Sequence, residues 1–587
     1  YNEYGSRLYD IIKENPYQLA EDVTGIGFRL ADDIARRAGI SPESDYRIRS
    51  GVIYVLLQAS MNGHMYLPVA ELKAQAAEIL GVSEEIVDRQ LMDLSIDKKI
   101  IIKNIEERPV VYASMYYYLE LSTARLLKNL NIKYEVGLTE AEHQIQRIEA
   151  NEKIELDEMQ KTAVIEAARN GVLVITGGPG TGKTTTINTM IRFFENEGMS
   201  IRLAAPTGRA AKRMTEATGY EAQTIHRMLE LTGGPEDKEG SRFERNEQNP
   251  LEEDVIIIDE MSMVDIHLMN ALLKAIMPGT RLIMVGDVNQ LPSVGPGNVL
   301  KDIIQSHCFN VVMLTKIFRQ AMESAIIKNA HKINDGEDID LAVKTPDFFC
   351  LKRNQALDIQ GVIIALVRDK LPKNVGASSF DIQVLTPMRK GELGVERLNK
   401  LLQEYLNPKD EAKREKEQGD RLFREGDKVM QIKNNYQMAW KNLEDFTEGE
   451  GVFNGDVGFI RKVDREFNEL TVVYDEVRYV TYHFNQLEEL ELAYAVTVHK
   501  SQGSEFPIVI MPISWFPPML ATRNLLYTGV TRGKRVVVLV GSQNKLEGMV
   551  DNNRIKERYS GLVYRLRRIF SMETAGGDAD DFDQMDQ

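Results

Sequence analysis

The sequence predicts an α/β protein built on a parallel P-loop sheet, with small all-β inserts and a helical front. Three observations predict it. Residues 172–177 (VLVITG) form an unbroken apolar run followed by a glycine-rich loop and a helix ending near Gly198. Two more aliphatic runs, Val255–Ile258 and Arg281–Val285, each end beside a carboxylate, as strands buried on both faces of a parallel sheet do. Between Gly426 and about residue 490, short alternating runs broken by Asn-Gly and Asn-Glu turns (DKVMQIKNN, GVFNGDVGFIRKV, NELTVVYD, YVTYHF) read as a small β-barrel.

Length and composition bound the rest. One hydrophobic core stops growing near ~250–300 residues, so 587 residues imply roughly three to five domains. With 43% hydrophobic and 27% charged residues, no apolar stretch reaches membrane length, and no membrane association is expected. Two cysteines, Cys308 and Cys350, exclude a disulfide framework and a cysteine-based zinc or iron–sulfur site, and fit a reducing cytosol. The chain opens on Tyr1, so the native start is expected upstream.

The net charge of −16 argues mildly against a nucleic-acid partner, yet the signs are segregated. Residues 202–213 (RLAAPTGRAAKR) carry four bases and no acid, whereas 571–587 carry six acids and no base. The acidic end reads as a disordered tail, either solvating or a hook for a protein partner.

At the front, residues 13–39 read as helix, Thr24-Gly25-Ile26-Gly27 turn, helix. In such a helix–hairpin–helix, Gly25 and Gly27 let the backbone approach a DNA phosphate; a plain structural hairpin is the alternative. Residues 49–115 read as three helices with two closing strands around a charged turn, a winged-helix pattern. Its third helix is acidic (Glu84, Glu85, Asp88, Asp93, Asp97), which suits a spacer or docking role better than groove reading.

Gly177-Gly178-Pro179-Gly180-Thr181-Gly182-Lys183-Thr184, between strand and helix, is a complete Walker A loop. Its glycines let backbone N–H groups wrap phosphates, Lys183 reaches the β and γ positions, and Thr184 ligates Mg²⁺. Asp259-Glu260, closing the strand Val255–Ile258, is a Walker B pair: Asp259 holds the Mg²⁺ shell, and Glu260 orients and deprotonates the attacking water.

Gly286-Asp287-Val288-Asn289-Gln290-Leu291-Pro292 follows the third strand and resembles motif III of superfamily 1 helicases, in which the Gln senses the γ-phosphate. Other boxes match in order. Gln160 in LDEMQKTAV is similar to the adenine-reading Q motif, AAPTGRAAKR (204–213) to motif Ia, and Thr224-Ile225-His226 to motif Ib. Lys316–Gln320 (KIFRQ) resembles motif IV, TVHKSQGSEF (497–506) motif V, and Tyr527–Arg532 (YTGVTR) motif VI. The wording of these boxes resembles the RecD/TraA branch, the 5′-to-3′ arm, and the front hairpin resembles long-form RecD-like helicases.

The resemblance implies two RecA-like domains, a β-hairpin inserted in the first and an SH3-like barrel in the second. The expected division is 1–48 helix–hairpin–helix, 49–150 winged-helix-like with connecting helices, 151–330 first RecA-like domain with hairpin insert 231–253, 331–415 plus 491–570 second RecA-like domain, 416–490 SH3-like insert, and 571–587 tail. It implies ATP and Mg²⁺ as cofactors, and hydrolysis by Lys183, Glu260, Gln290, Arg319 and an arginine finger, Arg532. Gln160, Gly178, Pro179, Gly180, Thr181, Gly182, Lys183, Thr184, Thr185, Gln502, Gly503 and Glu505 are expected around the nucleotide, with Thr184 and Asp259 on the metal. Pro206, Thr207, Arg209, Thr224, His226, Thr497 and His499 are expected on single-stranded DNA, a hydrogen-bonded structural role being the alternative for His226 and His499.

The expected protein is therefore a monomeric DNA helicase of the bacterial cytoplasm, acting on single strands and duplex junctions in repair or recombination. An RNA helicase of the same superfamily and an ATP-switched DNA-binding module are the alternatives. Turnover that rises with strand length separates motor from switch.

Overall fold

The computed structural model describes residues 8–23, 26–232, 242–318, 321–339, 345–553 and 557–574. Six parallel strands form the first sheet: β1 (Val172–Gly177), β2 (Ile201–Ala205), β3 (Ala222–Thr224), β4 (Val255–Ile258), β5 (Arg281–Gly286) and β6 (Asn310–Leu314). Their spatial order is β6-β1-β5-β4-β2-β3. The central strands are wholly apolar because both faces are covered, and Val172 to Ile175 and Val255 to Ile258 are fully buried. Helices α1 (Lys183–Asn196) and α2 (Gly208–Thr218) follow β1 and β2. Register pairs Gly286 with Thr176 and Met284 with Ile258, so the loops after β1, β4 and β5 leave the same edge side by side.

A second parallel sheet follows. Helix α3 (Ala325–Asp335) precedes β7 (Phe348–Lys352) and β8 (Ile382–Thr386); β9 (Ala495–Thr497), β10 (Phe506–Ile513), α4 (Arg523–Val530) and β11 (Gly533–Gly541) complete the lobe, in the order β7-β11-β10-β8-β9. The chain between β8 and β9 includes the SH3-like insert, a seven-stranded antiparallel sheet running from Lys428–Gln431 to Leu490–Leu492. Its core includes Phe423, Ile460, Leu470, Tyr474 and Tyr482, and the two tyrosine hydroxyls satisfy each other at 2.7 Å.

At the front, the helix Phe28–Arg37 is held by the stacked rings of Tyr17, Phe28 and Tyr54 and by an Arg47–Asp32 ion pair of 2.7 Å. The next elements, Asp45–Met61, Leu67–Pro68, Val69–Leu80, Glu84–Ile96, Ile100–Ile105 and Arg108–Ala113, run helix, strand, helix, helix, strand, strand with three antiparallel strands, the winged-helix arrangement. Leu231–Thr232 pairs antiparallel with Arg242–Phe243; the intervening residues 233–241 of the expected hairpin lie outside the described residues.

The second lobe differs from the expected boundaries at both ends. It begins with α3, whose Ala325, Ile326, Ala330 and Ile333 pack into that lobe's core, so its start lies before residue 331. The last helix, α5 (Leu562–Thr574), packs away from the lobe to which residues up to 570 were assigned. Leu562, Leu566 and Ile569 form an apolar stripe that joins the core shared by the front domain and the first lobe. Arg565 reaches the Glu120 carboxylate at 3.3 Å in a fully buried ion pair.

Candidate nucleotide and nucleic-acid site

The loops after β1, β4 and β5 face the second lobe across a cleft of about 480 Å³. Gly178, Pro179, Gly180, Thr181, Gly182, Lys183, Thr184, Asp259, Glu260, Gln290, Glu505 and Arg532, all singled out from sequence, line it. The Walker A loop needs its glycines for conformation and for space. Gly180 and Gly182 have φ of +76° and +80°, and a Cβ on Gly182 would lie 2.4 Å from Gln160 Nε2. Thr181 closes the loop by donating to Gly178 O at 2.8 Å, and Lys183 Nζ donates to Gly177 O.

Asp259 Oδ1 accepts the Glu260 amide at 2.8 Å, and Glu260 sits at φ +54°, a left-handed conformation uncommon for a non-glycine side chain. Arg213 donates to the Glu260 carboxylate. Burial pushes Glu260 towards the neutral form, but the positive charges of Arg213, Arg532 and Lys183 outweigh it and hold its carboxyl well below the usual range. Asp259 moves the other way, raised by burial and by the neighbouring Glu260 charge.

The two lobes are stitched together beside this cleft. Tyr527 OH donates to Asp287 Oδ2 at 2.6 Å, Thr528 Oγ1 accepts from the Leu291 amide at 3.0 Å, and Asn524 donates to Asn289 O at 3.0 Å. Arg532, 2% exposed, donates to Ser504 O at 3.0 Å from within the cleft wall. His331 on α3 lies 3.1 Å from Pro179 O, so the second lobe touches the Walker A loop directly. Gln290 is buried at the wall, and its Oε1 has no hydrogen-bond partner among the described residues.

The other expected nucleotide-side residues take these places. Gln160 is fully buried, its Oε1 accepts the Asp157 amide at 3.0 Å in a capping box, and its Nε2 donates to Gly182 O at 3.2 Å. It braces the phosphate loop from behind. Gln502 and Gly503 do not line the cleft; Gln502 donates across the lobes to Leu291 O at 2.8 Å, and Gly503 packs where a Cβ would lie 2.6 Å from Thr207 Oγ1. Thr185 sits on the first turn of α1 outside the cleft lining. Arg319 and Gly25 lie outside the described residues.

Among the strand-side residues, three threonines share one local role. Thr207 caps α2 through the Ala210 amide at 3.2 Å, Thr224 accepts the Arg227 amide at 3.1 Å, and Thr497 accepts the Lys500 amide at 3.2 Å. Thr207 and Thr224 thereby cap helix starts, whereas Thr497 braces the turn that leads to His499–Ser501; each hydroxyl, used here as an acceptor, keeps its own O–H to donate. Pro206 joins β2 to that capped turn.

Arg209 and Thr224 meet Phe453 of the insert around a groove of about 350 Å³; Thr497 stands apart from it, beside Arg389 and Lys500. His226 packs 5.9 Å from the Phe243 ring, and burial lowers its basicity, as it does that of His499. Gly27 caps its helix at φ −88° with open space at its Cβ position.

Sequence reasoning missed Arg213, His331, Tyr527 and Lys534. Arg213 carried a signal, one turn beyond Arg209 in the basic box; a lone histidine on an amphipathic helix carried none.

Known proteins resemble this chain over most of its length. Four family models match: an AAA domain over residues 160–296, the ATP-dependent RecD2 DNA helicase HHH domain over 1–66, the ATP-dependent RecD-like DNA helicase SH3 domain over 398–474, and the UvrD-like helicase C-terminal domain over 492–540. The ATP-dependent RecD2 DNA helicase of Deinococcus radiodurans is 31% identical over 579 residues, 96% of this chain and 75% of that protein. The RecBCD enzyme subunit RecD of Mycolicibacterium smegmatis is 30% identical, covering 70% of this chain and 75% of that one. A Bacteroides Pif1 helicase, solved with ADP-AlF3 and single-stranded DNA, aligns at 20% identity and a TM-score of 0.39, covering 72% of this chain and 98% of that chain.

Proposed function

Because the chain belongs to the RecD-like superfamily 1 DNA helicases and is an ATP-dependent DNA helicase, we propose that it walks 5′ to 3′ on single-stranded DNA and splits duplex junctions as it goes. One observation carries the motor reading: the cleft takes side chains from both lobes, with Lys183, Asp259 and Glu260 facing Glu505 and Arg532, so any change at a γ-phosphate reaches both halves.

The residues fit ATP with Mg²⁺. Two positive-φ glycines open the loop, Lys183 and the α1 start supply positive potential, and exposed Thr184 and half-buried Asp259 stand on the wall where a hard cation takes oxygen ligands. A bound Mg²⁺ would neutralise phosphate charge. Glu260 takes a proton from the attacking water, Gln290 positions that water or the phosphate it attacks, and Arg532 stabilises the transferring group from the second lobe, a role worth ~10³–10⁵ in rate in related chemistry. Arg319 is proposed as a second cation there. Thr207, Arg209, Thr224, Thr497 and the two histidines hold the strand, while Gly25 and Gly27 add contacts at the front.

We place the protein, as a monomer, in a bacterial cytosol. Its two free cysteines and helices too short or polar to cross a membrane among the described residues support that setting. The acidic tail, of which residues 575–587 lie outside the described residues, is proposed to solvate the chain or hook a protein partner.

Strand displacement tests the reading. Paired substrates with a 5′ or a 3′ single-stranded overhang are unwound only from the 5′ overhang; unwinding from the 3′ overhang alone would refute the polarity, and ATP turnover independent of strand length would indicate a switch.

A further inference from the structure

Helix α2 carries strand-side residues at one end and touches the hydrolytic carboxylates at the other. Thr207 and Arg209 stand at its start, and Arg213, one turn beyond Arg209 on the same face, donates to Glu260 and, at 2.9 Å, to Glu505. That face lies against one short segment of the second lobe. Gly503 abuts Thr207, the Arg209 guanidinium sits 5.6 Å from the Phe506 ring centroid, and Arg213 meets Glu505.

The Glu260 backbone has little room to adjust, because its amide is tied to Asp259 Oδ1 at 2.8 Å and its φ is +54°. The direction of its carboxylate is therefore set by the partner of its side chain, which is Arg213. A carboxylate clamped by a guanidinium cannot also accept the proton of an attacking water along the same lone pairs. Arg213 has a second acceptor at hand, since Glu505 is on the same guanidinium and is itself held by Lys534 at 2.9 Å. Moving Arg213 wholly onto Glu505 keeps the Arg213 charge paired and frees Glu260, whose carboxylate retains the nearby positive charges of Arg532 and Lys183, so two discrete arrangements are available.

We propose that Arg213 is a positioning residue that latches Glu260 while no DNA is bound, and that a strand engaging the Thr207–Arg209 end of α2 shifts Arg213 towards Glu505, so that hydrolysis waits for DNA. This rests on Glu260 being the group that activates water. The coupling runs through one helix of eleven residues and one facing segment, and involves both lobes.

The test compares ATP turnover with and without an oligo-dT strand for the full chain and for Arg213→Ala, Arg213→Lys and Glu260→Gln. Removing the latch raises strand-free kcat about ten-fold, ~1.36 kcal/mol by the transition-state relation, with the KM for ATP changed less than about two-fold. Stimulation by DNA falls by the same factor. Arg213→Lys, which keeps the charge but loses the fork, gives an intermediate rise and carries the test if the alanine variant loses nucleotide binding. Strand-free kcat that stays level or drops in both variants overturns the latch. Residual hydrolysis by Glu260→Gln near the parental rate overturns the water-activation reading itself; an inactive Glu260→Gln with an unchanged stimulation ratio in the Arg213 variants overturns only the latch.

Discussion

Replacing Glu120 with Ala is expected to release the last helix from the body of the molecule. Glu120 is fully buried, and its carboxylate takes Tyr112 OH at 2.9 Å, the Gly561 amide at 2.9 Å, Ser560 Oγ at 3.1 Å and Arg565 Nε at 3.3 Å. The substitution leaves Arg565, only 3% exposed, without its counter-charge between the rings of Tyr112 and Tyr117. Breaking a buried pair in this way costs ~3–5 kcal/mol. Taking the lower figure, local opening of residues 562–574 becomes roughly 100-fold more frequent, since each ~1.4 kcal/mol is a factor of ten.

Amide hydrogen exchange followed by mass spectrometry reads that opening directly, without assuming two-state unfolding of a multidomain chain. Arg565→Met costs less, because Glu120 keeps three neutral donors; the double variant recovers only the charge part, because those donors are then orphaned. Exchange of the 562–574 peptide within about three-fold of the parent in Glu120→Ala would refute the reasoning.

Lys183→Ala and Glu260→Gln both abolish turnover, but only Glu260→Gln still binds nucleotide tightly, as equilibrium binding of a fluorescent analogue shows; equal loss of binding in both contradicts the assigned roles. Lys428 is fully buried with Nζ donating to Ile382 O at 3.0 Å and Phe380 O at 3.2 Å, and burial, reinforced by the Arg209 charge, brings its pKa down to about 7 from 10.5. The unfolded chain therefore binds the extra proton between pH 7 and 10.5, so stability from this residue rises with pH across that window; Lys428→Met removes the rise, and a thermal-midpoint difference between parent and variant that stays flat from pH 7 to 10 opposes it. Replacing residues 234–249 with a short Gly-Ser linker leaves strand-stimulated ATPase nearly intact but sharply lowers base pairs opened per ATP, measured by coupled displacement and phosphate release; unchanged unwinding per ATP makes the span a plain loop.

The nucleotide cleft was legible because its signals are local. An apolar strand, a glycine loop and a helix start place Lys183 by covalent neighbourhood alone, and Asp259-Glu260 need only the end of one strand. What the linear order hides is which distant group faces them. Arg213 and Glu260 are 47 positions apart, and the basic box places Arg213 on the face of Arg209 without naming the carboxylate it meets. Gln160 has a second local reading, because Asp157-x-x-Gln160 is a capping box legible in the sequence beside the resemblance to a Q motif. An apolar stripe such as that of α5 states that a face is buried and not against what; the shared core and the Glu120 pair disclose the partner.

The return of α5 to the front of the molecule has a consequence for biosynthesis. Every surface it covers, from Tyr112 and Glu120 to Ile303 and Phe309, leaves the ribosome more than two hundred residues before α5 does, at a pace of ~5–20 residues per second. For those tens of seconds the Glu120 carboxylate lacks its Arg565 partner, and the front domain and first lobe must hold together without this strut. Arrival of Arg565 then supplies the counter-charge of the buried Glu120 carboxylate, so packing at the front of the molecule is completed by a segment made more than two hundred residues later.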